Sequence, residues 1–281
     1  MTMPIRFHTD IHVNNDTKRM VLDLDEQIAG ERSILTHLRA GQYYEPDISL
    51  AMLRIVRPGD VVVDVGANLG FFTILLATLV GPTGRVLSAE PGDNNLPRLH
   101  NNIAANAYGN VIVIDRPIAD KAAPVTFFLN SDNDVGNALW NPGAFPGNDR
   151  SKAQTISHSL MATTLNEEIS RLGCGAPRLI KIDTEGAEQR VLEGAHQLLL
   201  GRKVPFIICE LHGFGLQQMG CSQQSLRQMM DDYGYSTFLI YPDGALPKLI
   251  PPKTAIECRY IRNVLFSTPE LVGTCWPTEI Y

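Results

Sequence analysis

The chain has few cysteines, no excess of positive charge and no long apolar run, and each shortage excludes a class of protein. Its five cysteines are an odd number without C-x-x-C spacing, so we expect neither a disulfide framework nor a metal site. Lys and Arg number 24 against 30 Asp and Glu, and a net charge of −6 argues against a nucleic-acid partner. No apolar run approaches the roughly 18 residues of a membrane span, and the amino end has no signal-peptide pattern. The expected location is a reducing cytoplasm.

What the chain does contain is enough apolar sequence for one large core. Of 281 residues, 44% are hydrophobic and 19% are charged, which fits a single α/β core with additions. The most informative stretch is VVVDVGANLGFFTILL, residues 61–76. Its β-branched start is typical of a strand buried on both faces of a parallel sheet, and the apolar segment Phe71 to Val80 is long enough for a buried helix.

The turn between this strand and helix carries the first candidate ligand contacts. Strand, glycine turn and helix form the first unit of a nucleotide-binding sheet, where a ligand meets N–H groups at a helix N-terminus. The predicted contacts are Gly66, Ala67, Asn68, Gly70 and Phe71.

Three features of this region indicate which nucleotide is bound. A site for a pyrophosphate typically has the motif G-x-G-x-x-G, but in this chain Asn68 occupies the position of the second glycine. Asp64 would repel a pyrophosphate and attract an ammonium group. Glu90 ends the next hydrophobic stretch, at the spacing of an acid that holds a ribose diol. An adenosine with a cationic amino-acid tail fits all three features, and that ligand is S-adenosyl-L-methionine (SAM).

Three motifs in order resemble a known family. They are DVGANLGFFT, SAEP at residues 88–91 and LIKIDTEGAEQRVLEGA at residues 179–195, and they resemble the FkbM-type SAM-dependent methyltransferases from about Tyr44 to about His212. The resemblance implies a Rossmann-like class I methyltransferase fold: a mostly parallel seven-stranded α/β sheet with helices on both faces and a closing antiparallel strand pair. Strands over residues 235–241 and 260–267, separated by the proline-rich residues 242–252, are predicted to form that pair. The resemblance also implies O-methylation of a hydroxyl on a sugar or other natural product, with Pro91 beside Glu90 in the cofactor site.

The segment before the core is predicted to be an extension. Residues 5–24 indicate a hairpin with its turn at Asn14 to Asp16, and helices are expected at Glu31 to Arg39 and Pro46 to Val56. We therefore divide the chain into residues 1–56 and a methyltransferase domain over residues 57–281. Tyr44 and Glu45 resemble the family sequence at this point. They either close over the methionine end of SAM or simply start a helix, with Glu45 near its dipole.

Between the cofactor motifs and the third motif lie two less specific features. Asp120 follows the strand Val111 to Ile114, where related folds contact adenine, but a loop aspartate is also a common turn former. Residues 130–152 are rich in Asn, Asp, Gly and Pro, and such a loop, counted as residues 130–158 with its flanks, is expected to be an acceptor-binding lid or a mobile surface insertion.

The third motif and the strand after it supply the candidate catalytic residues. Asp183 is predicted at the carboxyl end of a strand, Glu185 in the first turn of the following helix, and His212 at the end of the next strand. Any of the three could accept a proton from a hydroxyl acceptor. Lys181, in a central strand, needs a carboxylate partner or an exit for its head group, and a structural ion pair is favoured over a catalytic role. Gly213 to Gly215 is interpreted as a flexible acceptor loop.

Other functions remain open at this stage. N-methylation of a small amine would need no strong base, and a non-catalytic SAM-binding protein would keep the first motif alone. A nicotinamide oxidoreductase is disfavoured by Asn68 and Asp64. The expected partner is a small-molecule or glycan acceptor, and assembly into a homo-oligomer is left open.

Overall fold

The computed structural model describes residues 4–13, 16–132, 135–257 and 261–277. The strands are β1 Ile5–Val13, β2 Asp16–Leu24, β3 Val61–Val65, β4 Arg85–Ala89, β5 Val111–Ile114, β6 Pro124–Leu129, β7 Ile156–Met161, β8 Leu179–Ile182, β9 Phe206–His212, β10 Ser236–Leu239, β11 Lys248–Ile250 and β12 Ile261–Ser267. The α-helices are α1 Ala29–Arg39, α2 Pro46–Ile55, α3 Phe71–Val80, α4 Leu96–Ala105, α5 Asp149–Ala153, α6 Leu165–Arg171, α7 Glu188–Glu193, α8 His196–Leu199, α9 Gly213–Gln218, α10 Gln223–Asp232 and α11 Pro269–Cys275.

One mixed sheet organises the chain. Over the ranges described, it has eight strands in the order β11-β10-β12-β9-β8-β3-β4-β5. The five strands from β9 to β5 are parallel, whereas β12, β10 and β11 pair antiparallel. From β3 the chain builds β4 and β5 on one side and later returns to β8 on the other, so the strand order reverses at β3. Ligands of open α/β sheets bind at such a reversal, at the carboxyl ends of the strands.

Two hydrophobic clusters cover the two faces of the sheet. Helices α1, α2, α3 and α11 contribute to one cluster, and α6 to α10 contribute to the other. Helix α3 is buried along its whole length, because the β1–β2 hairpin and α2 pack over it. No described helix has the length and apolar character needed to cross a membrane.

The α/β fold class and most predicted elements are confirmed, but the strand count differs. The strand Lys248–Ile250 lies inside the proline-rich segment interpreted as a connection, and it pairs with β10 at the sheet edge. A three-residue edge strand is too short to leave a periodic sequence signal. The predicted turn residues Asn14 and Asn15, and Tyr260 at the start of the last predicted strand, lie outside the described residues. The division into residues 1–56 and 57–281 stays a prediction.

Candidate active site

A cavity of about 360 Å³ opens at the carboxyl ends of β3, β4, β8 and β9. It lies where the strand order reverses, as the fold leads one to expect. Of the residues predicted from the sequence, the following line it: Tyr44, Glu45, Gly66, Ala67, Asn68, Phe71, Glu90, Pro91, Asp183, Glu185 and His212. Asp64, Gly70 and Asp120 do not belong to this lining.

The loop after β3 uses its own backbone donors. The N–H groups of Gly66 and Ala67 both donate to the carbonyl of Ala89, at 3.0 Å each. Asn68 N–H donates to Glu90 Oε2 at 2.8 Å, Leu69 N–H to the Asn68 side chain and Gly70 N–H to the Ala67 carbonyl. All five amides from Gly66 to Gly70 are therefore bonded within the protein. A pyrophosphate would need such amides to be free, so the loop favours a nucleoside without a diphosphate.

Glu90 stands at the end of β4 with its carboxylate at the cavity wall. The side chain is buried, and its two oxygens accept backbone N–H groups from Asn68 and Gly92, each at 2.8 Å. Burial raises the pKa of Glu90 to about 7, although these hydrogen bonds oppose the shift. A carboxylate has about four acceptor positions, and the Asn95 side chain also hydrogen-bonds to Glu90, so capacity remains for a ribose hydroxyl group.

Asp64 lies behind the cavity wall instead of in it. It is fully buried, and its Oδ2 accepts the Thr73 hydroxyl at 2.7 Å. Its Oδ1 lies 3.3 Å from Lys181 Nζ. Asp64 thus has two protein partners, Thr73 and Lys181, because its side chain points from β3 into the layer under α3. The ammonium contact of Asp64 stays a prediction.

Lys181 joins the Gly66 to Gly70 loop to the third motif. Its ammonium lies 3.3 Å from Asp64, 3.2 Å from Asp183 Oδ2 and 3.1 Å from the Gly66 carbonyl. Burial lowers the pKa of Lys181, but Asp183, Asp64 and Glu45 raise it by more. The prediction that this strand lysine has a carboxylate partner is confirmed.

Glu185 precedes a helix instead of lying on it. Helix α7 begins at Glu188, and residues 183–187 form a turn in which Glu185 has φ 56° and Gly186 has φ 113°. A Cβ on Gly186 would lie 2.4 Å from the backbone of Gly215, so only glycine lets the two turns meet. The predicted helical position of Glu185 is wrong, because this positive-φ glycine ends the regular backbone.

Four carboxylates converge at this end of the cavity: Glu45, Asp183, Glu185 and Glu210. Oxygens of Asp183, Glu185 and Glu210 lie within 4.8 Å of one another. Burial, followed by the charge of Asp183, raises the pKa of Glu45 to about 7 and raises the pKa values of Glu185 and Glu210 well above the usual range. Lys181, 3.2 Å from Asp183 Oδ2, and proton uptake within the cluster relieve the repulsion among these carboxylates.

His212 is the N-cap of α9. Its Nδ1 accepts the N–H of Gly215 at 2.8 Å, and its Nε2 lies 3.4 Å from Glu185 Oε2. Burial lowers the pKa of His212. Gly213 to Gly215 form the first turn of this helix and not the predicted flexible loop, since the imidazole caps them.

The predicted lid segment lies against the cavity. Trp140 and Phe145 both line it, and Trp140 Nε1 donates to the Glu185 carbonyl at 2.5 Å. The Trp140 ring stacks on His212 at 6.2 Å between centroids, and Phe145 meets Phe214 edge to face at 5.1 Å. This segment is therefore a wall of the site, and whether it moves as a lid stays a prediction.

The adenine contact predicted for Asp120 is not brought into the cavity. Beyond β5 the lining is formed by Arg116, Pro117 and Ile118, and Asp120 is half-buried farther along the chain. Three residues of the cavity lining, Glu210, Trp140 and Phe145, are not among the site residues predicted from the sequence. Glu210 could have been found from its position two residues before His212, on the same face of β9, whereas an isolated loop aromatic such as Trp140 gives no such signal.

The sheet, its reversal at β3 and the cavity define the class of protein: a Rossmann-like α/β nucleotide-binding fold. A family model described as the methyltransferase FkbM domain matches residues 64–237. This is more than half of the chain, and the protein belongs to the FkbM methyltransferase family. The family resemblance inferred from the three motifs is confirmed.

Two relatives show what the chain is similar to. It is 28% identical over 169 residues to the hexuronic acid methyltransferase AglP of Haloferax volcanii, covering 60% of this chain and 62% of that protein. It is 28% identical over 186 residues to the AMB antimetabolite synthetase AmbE of Pseudomonas aeruginosa, covering 56% of this chain and 9% of that protein. The chain thus spans less than two thirds of each.

Two solved structures share part of the architecture. One is a methyltransferase FkbM from Methylobacillus flagellatus, with a TM-score of 0.44 and 15% identity over 84% of this chain and 60% of that chain. The other is a SAM-dependent O-methyltransferase from Thermotoga maritima, with a TM-score of 0.43 and 11% identity over 92% of this chain and 77% of that chain. With TM-scores below 0.5, neither likeness bears on activity.

Proposed function

We propose that the protein transfers the methyl group of SAM to a hydroxyl group of a sugar or another small-molecule natural product. The proposal rests on the structure of one end of the cavity, which would hold the methyl donor and which we call the donor end. There, a loop whose backbone amides are all bonded internally lies beside the cavity-lining carboxylate of Glu90. Such a site disfavours a diphosphate and accepts a nucleoside hydroxyl.

The lining residues divide into those that would hold the adenosine and those that would hold the amino-acid end of SAM. Glu90 would accept a ribose hydroxyl, with Pro91 and Ile118 beside the base. Glu45 and Asp183, at the other side of the Gly66 turn, would face the ammonium group. Bound SAM supplies a methyl group on a positively charged sulfur, which is an electrophile for a lone pair.

The chain's own contribution is to position the acceptor, exclude water and take up a proton. Aromatic side chains of Trp140 and Phe145 close one wall of the cavity, which keeps the reacting atoms out of bulk water. A hydroxyl loses its proton when its oxygen attacks, so a base must lie within hydrogen-bond reach. Asp183 and Glu185 both offer a carboxylate at this wall.

Charge at the acceptor end supports a hydroxyl group over a carboxylate as the methylated group. Glu185 and Glu210 lie at this end, and a nearby cation, Lys181, is already paired with Asp64 and Asp183. An acceptor carboxylate at the reacting position would meet like charge. The name of AglP describes that protein's hexuronic acid acceptor; for this chain we propose a neutral sugar or a related hydroxylated molecule.

Methylation of an amine is the second candidate, and the same acidic end favours it. A protonated amine would be attracted by the carboxylates, and once neutral it would need no strong base to react. The variant Glu185→Gln distinguishes the two candidates. Its rate of O-methylation should fall at least about 100-fold, whereas its rate of N-methylation should be nearly unchanged.

The donor assignment is tested by ligand-induced stabilisation. Thermal unfolding of the purified protein is followed with SAM, with S-adenosylhomocysteine and with NAD, and the first two should raise the midpoint while NAD does not. Calorimetry with S-adenosylhomocysteine should show an affinity at least about 10-fold lower in Glu90→Ala, since hydrogen bonds to a charged group are lost. The exposed Glu193→Ala is the matched control and should bind normally. Stabilisation by NAD alone would refute the assignment.

Methyl transfer itself is measured as release of S-adenosylhomocysteine with neutral sugars, amino sugars and uronic acids as acceptors. Turnover with the neutral sugars supports the proposed reaction. Tight SAM binding without turnover on any acceptor would instead support a non-catalytic SAM-binding protein.

A further inference from the structure

Glu185 is held from two directions by residues outside its own turn. His212 Nε2 approaches its carboxylate at 3.4 Å, and Trp140 Nε1 donates to its main-chain carbonyl at 2.5 Å. Its backbone has φ 56°, a conformation that a non-glycine residue keeps only where its surroundings enforce it. Because both its carboxylate and its main chain are held, the Glu185 side chain keeps one orientation.

The hydrogen bonds of His212 settle which ring nitrogen carries the proton. Nδ1 accepts the Gly215 N–H, so in the neutral imidazole the proton must sit on Nε2. Nε2 faces Glu185 and can donate to it. With one nitrogen used as an acceptor for the helix and the other as a donor, neutral His212 has no free lone pair with which to take a proton from an acceptor.

Trp140 connects the segment over the cavity to Glu185 and His212. It lies 45 residues before Glu185 in sequence, yet its indole N–H meets the Glu185 carbonyl and its ring stacks on His212. Docking of this segment therefore contacts both members of the Glu185–His212 pair.

We propose that Glu185 is the carboxylate that takes the acceptor's proton, and that His212 and Trp140 are positioning residues that hold its side chain and its main chain. The inference rests on the proposed methyl transfer to a hydroxyl. In the step, the acceptor oxygen forms a bond to the methyl carbon, the carbon–sulfur bond breaks with its electron pair left on sulfur, and the hydroxyl proton moves to Glu185. A neutral thioether and a protonated Glu185 result.

The charges around Glu185 suit this role. Asp183, Glu188, Glu45 and Glu210 face it from its own turn, the start of α7, the start of α2 and strand β9, while Lys181 is the nearby cation. Burial, followed by repulsion from these carboxylates, raises the pKa of Glu185, so its ionised carboxylate is a stronger base than that of an exposed glutamate.

Two substitutions at His212 separate a positioning role from a merely structural one. His212→Asn places an amide oxygen near the position of Nδ1, so it can keep the cap on Gly215 while losing the contact with Glu185. His212→Ala loses both. We expect His212→Asn to keep its thermal midpoint and its affinity for S-adenosylhomocysteine but to lose about 10-fold or more in kcat, with a shifted pH profile. Full activity in a stably folded His212→Asn would overturn the positioning role.

Trp140→Phe tests the second contact, since phenylalanine keeps an aromatic ring but has no N–H. Its kcat should fall several-fold with KM for SAM little changed. Trp276→Phe is the matched control, because it removes the other indole N–H, which bonds to Gly244 away from the cavity. Equal kcat in Trp140→Phe and wild type would overturn the role of Trp140.

Nuclear magnetic resonance tests the arrangement without any acceptor. Long-range proton–nitrogen spectra should show His212, assigned through His212→Asn, as the Nε2–H tautomer, and its titration should move in Glu185→Gln. The chain has two tryptophans, so the Trp140 indole signal is assigned by its loss in Trp140→Phe and should exchange slowly with solvent. An Nδ1–H tautomer would overturn the inference. Absent methyl transfer in wild type with these signals as expected would instead refute the proposed function.

Discussion

The donor end and the acceptor end of the cavity are built in different ways. At the donor end, the Gly66 to Gly70 loop is fixed by hydrogen bonds to Ala89 and Glu90, on the neighbouring strand and about 20 residues away. At the acceptor end, Glu185 depends on Trp140 and His212, which come from a long loop and from another strand. The donor end is therefore a property of one βαβ unit, whereas the acceptor end exists only when distant segments have assembled.

Lys181→Met should cause the largest loss of stability, because Lys181 joins the donor end of the cavity to the acceptor end. Its removal leaves buried Asp64 and neighbouring Asp183 without their shared cation, and breaking a buried ion pair costs about 3–5 kcal/mol. Urea unfolding measures the loss. Lys203→Met, on the exposed surface, is the control. Adding Asp64→Asn should restore part of the stability, and a loss below about 1 kcal/mol in the single variant would contradict the pairing.

Gly66→Ala should cause the second largest loss of stability, and it should disturb both ends of the cavity. A Cβ at this position would lie 1.7 Å from the Asp183 carbonyl oxygen, and the residue has φ 80°. We expect a loss of about 2–4 kcal/mol from overpacking and backbone strain. Gly173→Ala has a similar positive φ but open space around it, so it should lose only about 1 kcal/mol. Equal losses in the two variants would show that the contact with Asp183 does not matter.

The smallest effect is expected in the pH dependence of stability, and it isolates the donor end. The pKa of Glu90 in the folded protein is raised to about 7, above its value in the unfolded chain, so the folded state binds more protons between about pH 4.5 and 7. The free energy of unfolding should therefore fall as the pH rises through this window. Glu90→Gln should flatten the slope by up to about 1 kcal/mol per pH unit, with Glu193→Gln as the control. An unchanged slope would mean that Glu90 is not buried as described.

This contrast explains which features the sequence could predict. The β3 strand, the glycine turn and Glu90 have local signals: β-branched residues, glycines at fixed spacing and an acid at a strand end. The position of Asp183 followed from the end of β8 in the same way. In contrast, the sequence predicts a helix at Glu185, since two acids, Glu185 and Glu188, and spaced aliphatic residues satisfy a helical pattern whether or not Gly186 interrupts it.

The directions of individual side chains could not be predicted from the sequence either. Asp64 and Lys181 occupy paired positions on neighbouring strands, but the sequence pattern alone does not tell that their charged groups lie 3.3 Å apart. The contact between Trp140 and Glu185 spans a segment whose composition shows no period. Long-range contacts of this kind depend on the path of the chain, which single-sequence patterns do not contain.

The glycine contacts have a consequence for how this family of sites can diversify. Gly66 rests on Asp183, Gly186 on Gly215, and Gly215 on Glu185, so three successive turns are stacked main chain against main chain. No side chain can be added on the inner faces of this stack, and its geometry is closed to evolutionary change by substitution. Under the proposed function, new acceptor preferences would arise in the segment that carries Trp140 and Phe145, which can vary in length and sequence while the stacked turns keep their geometry.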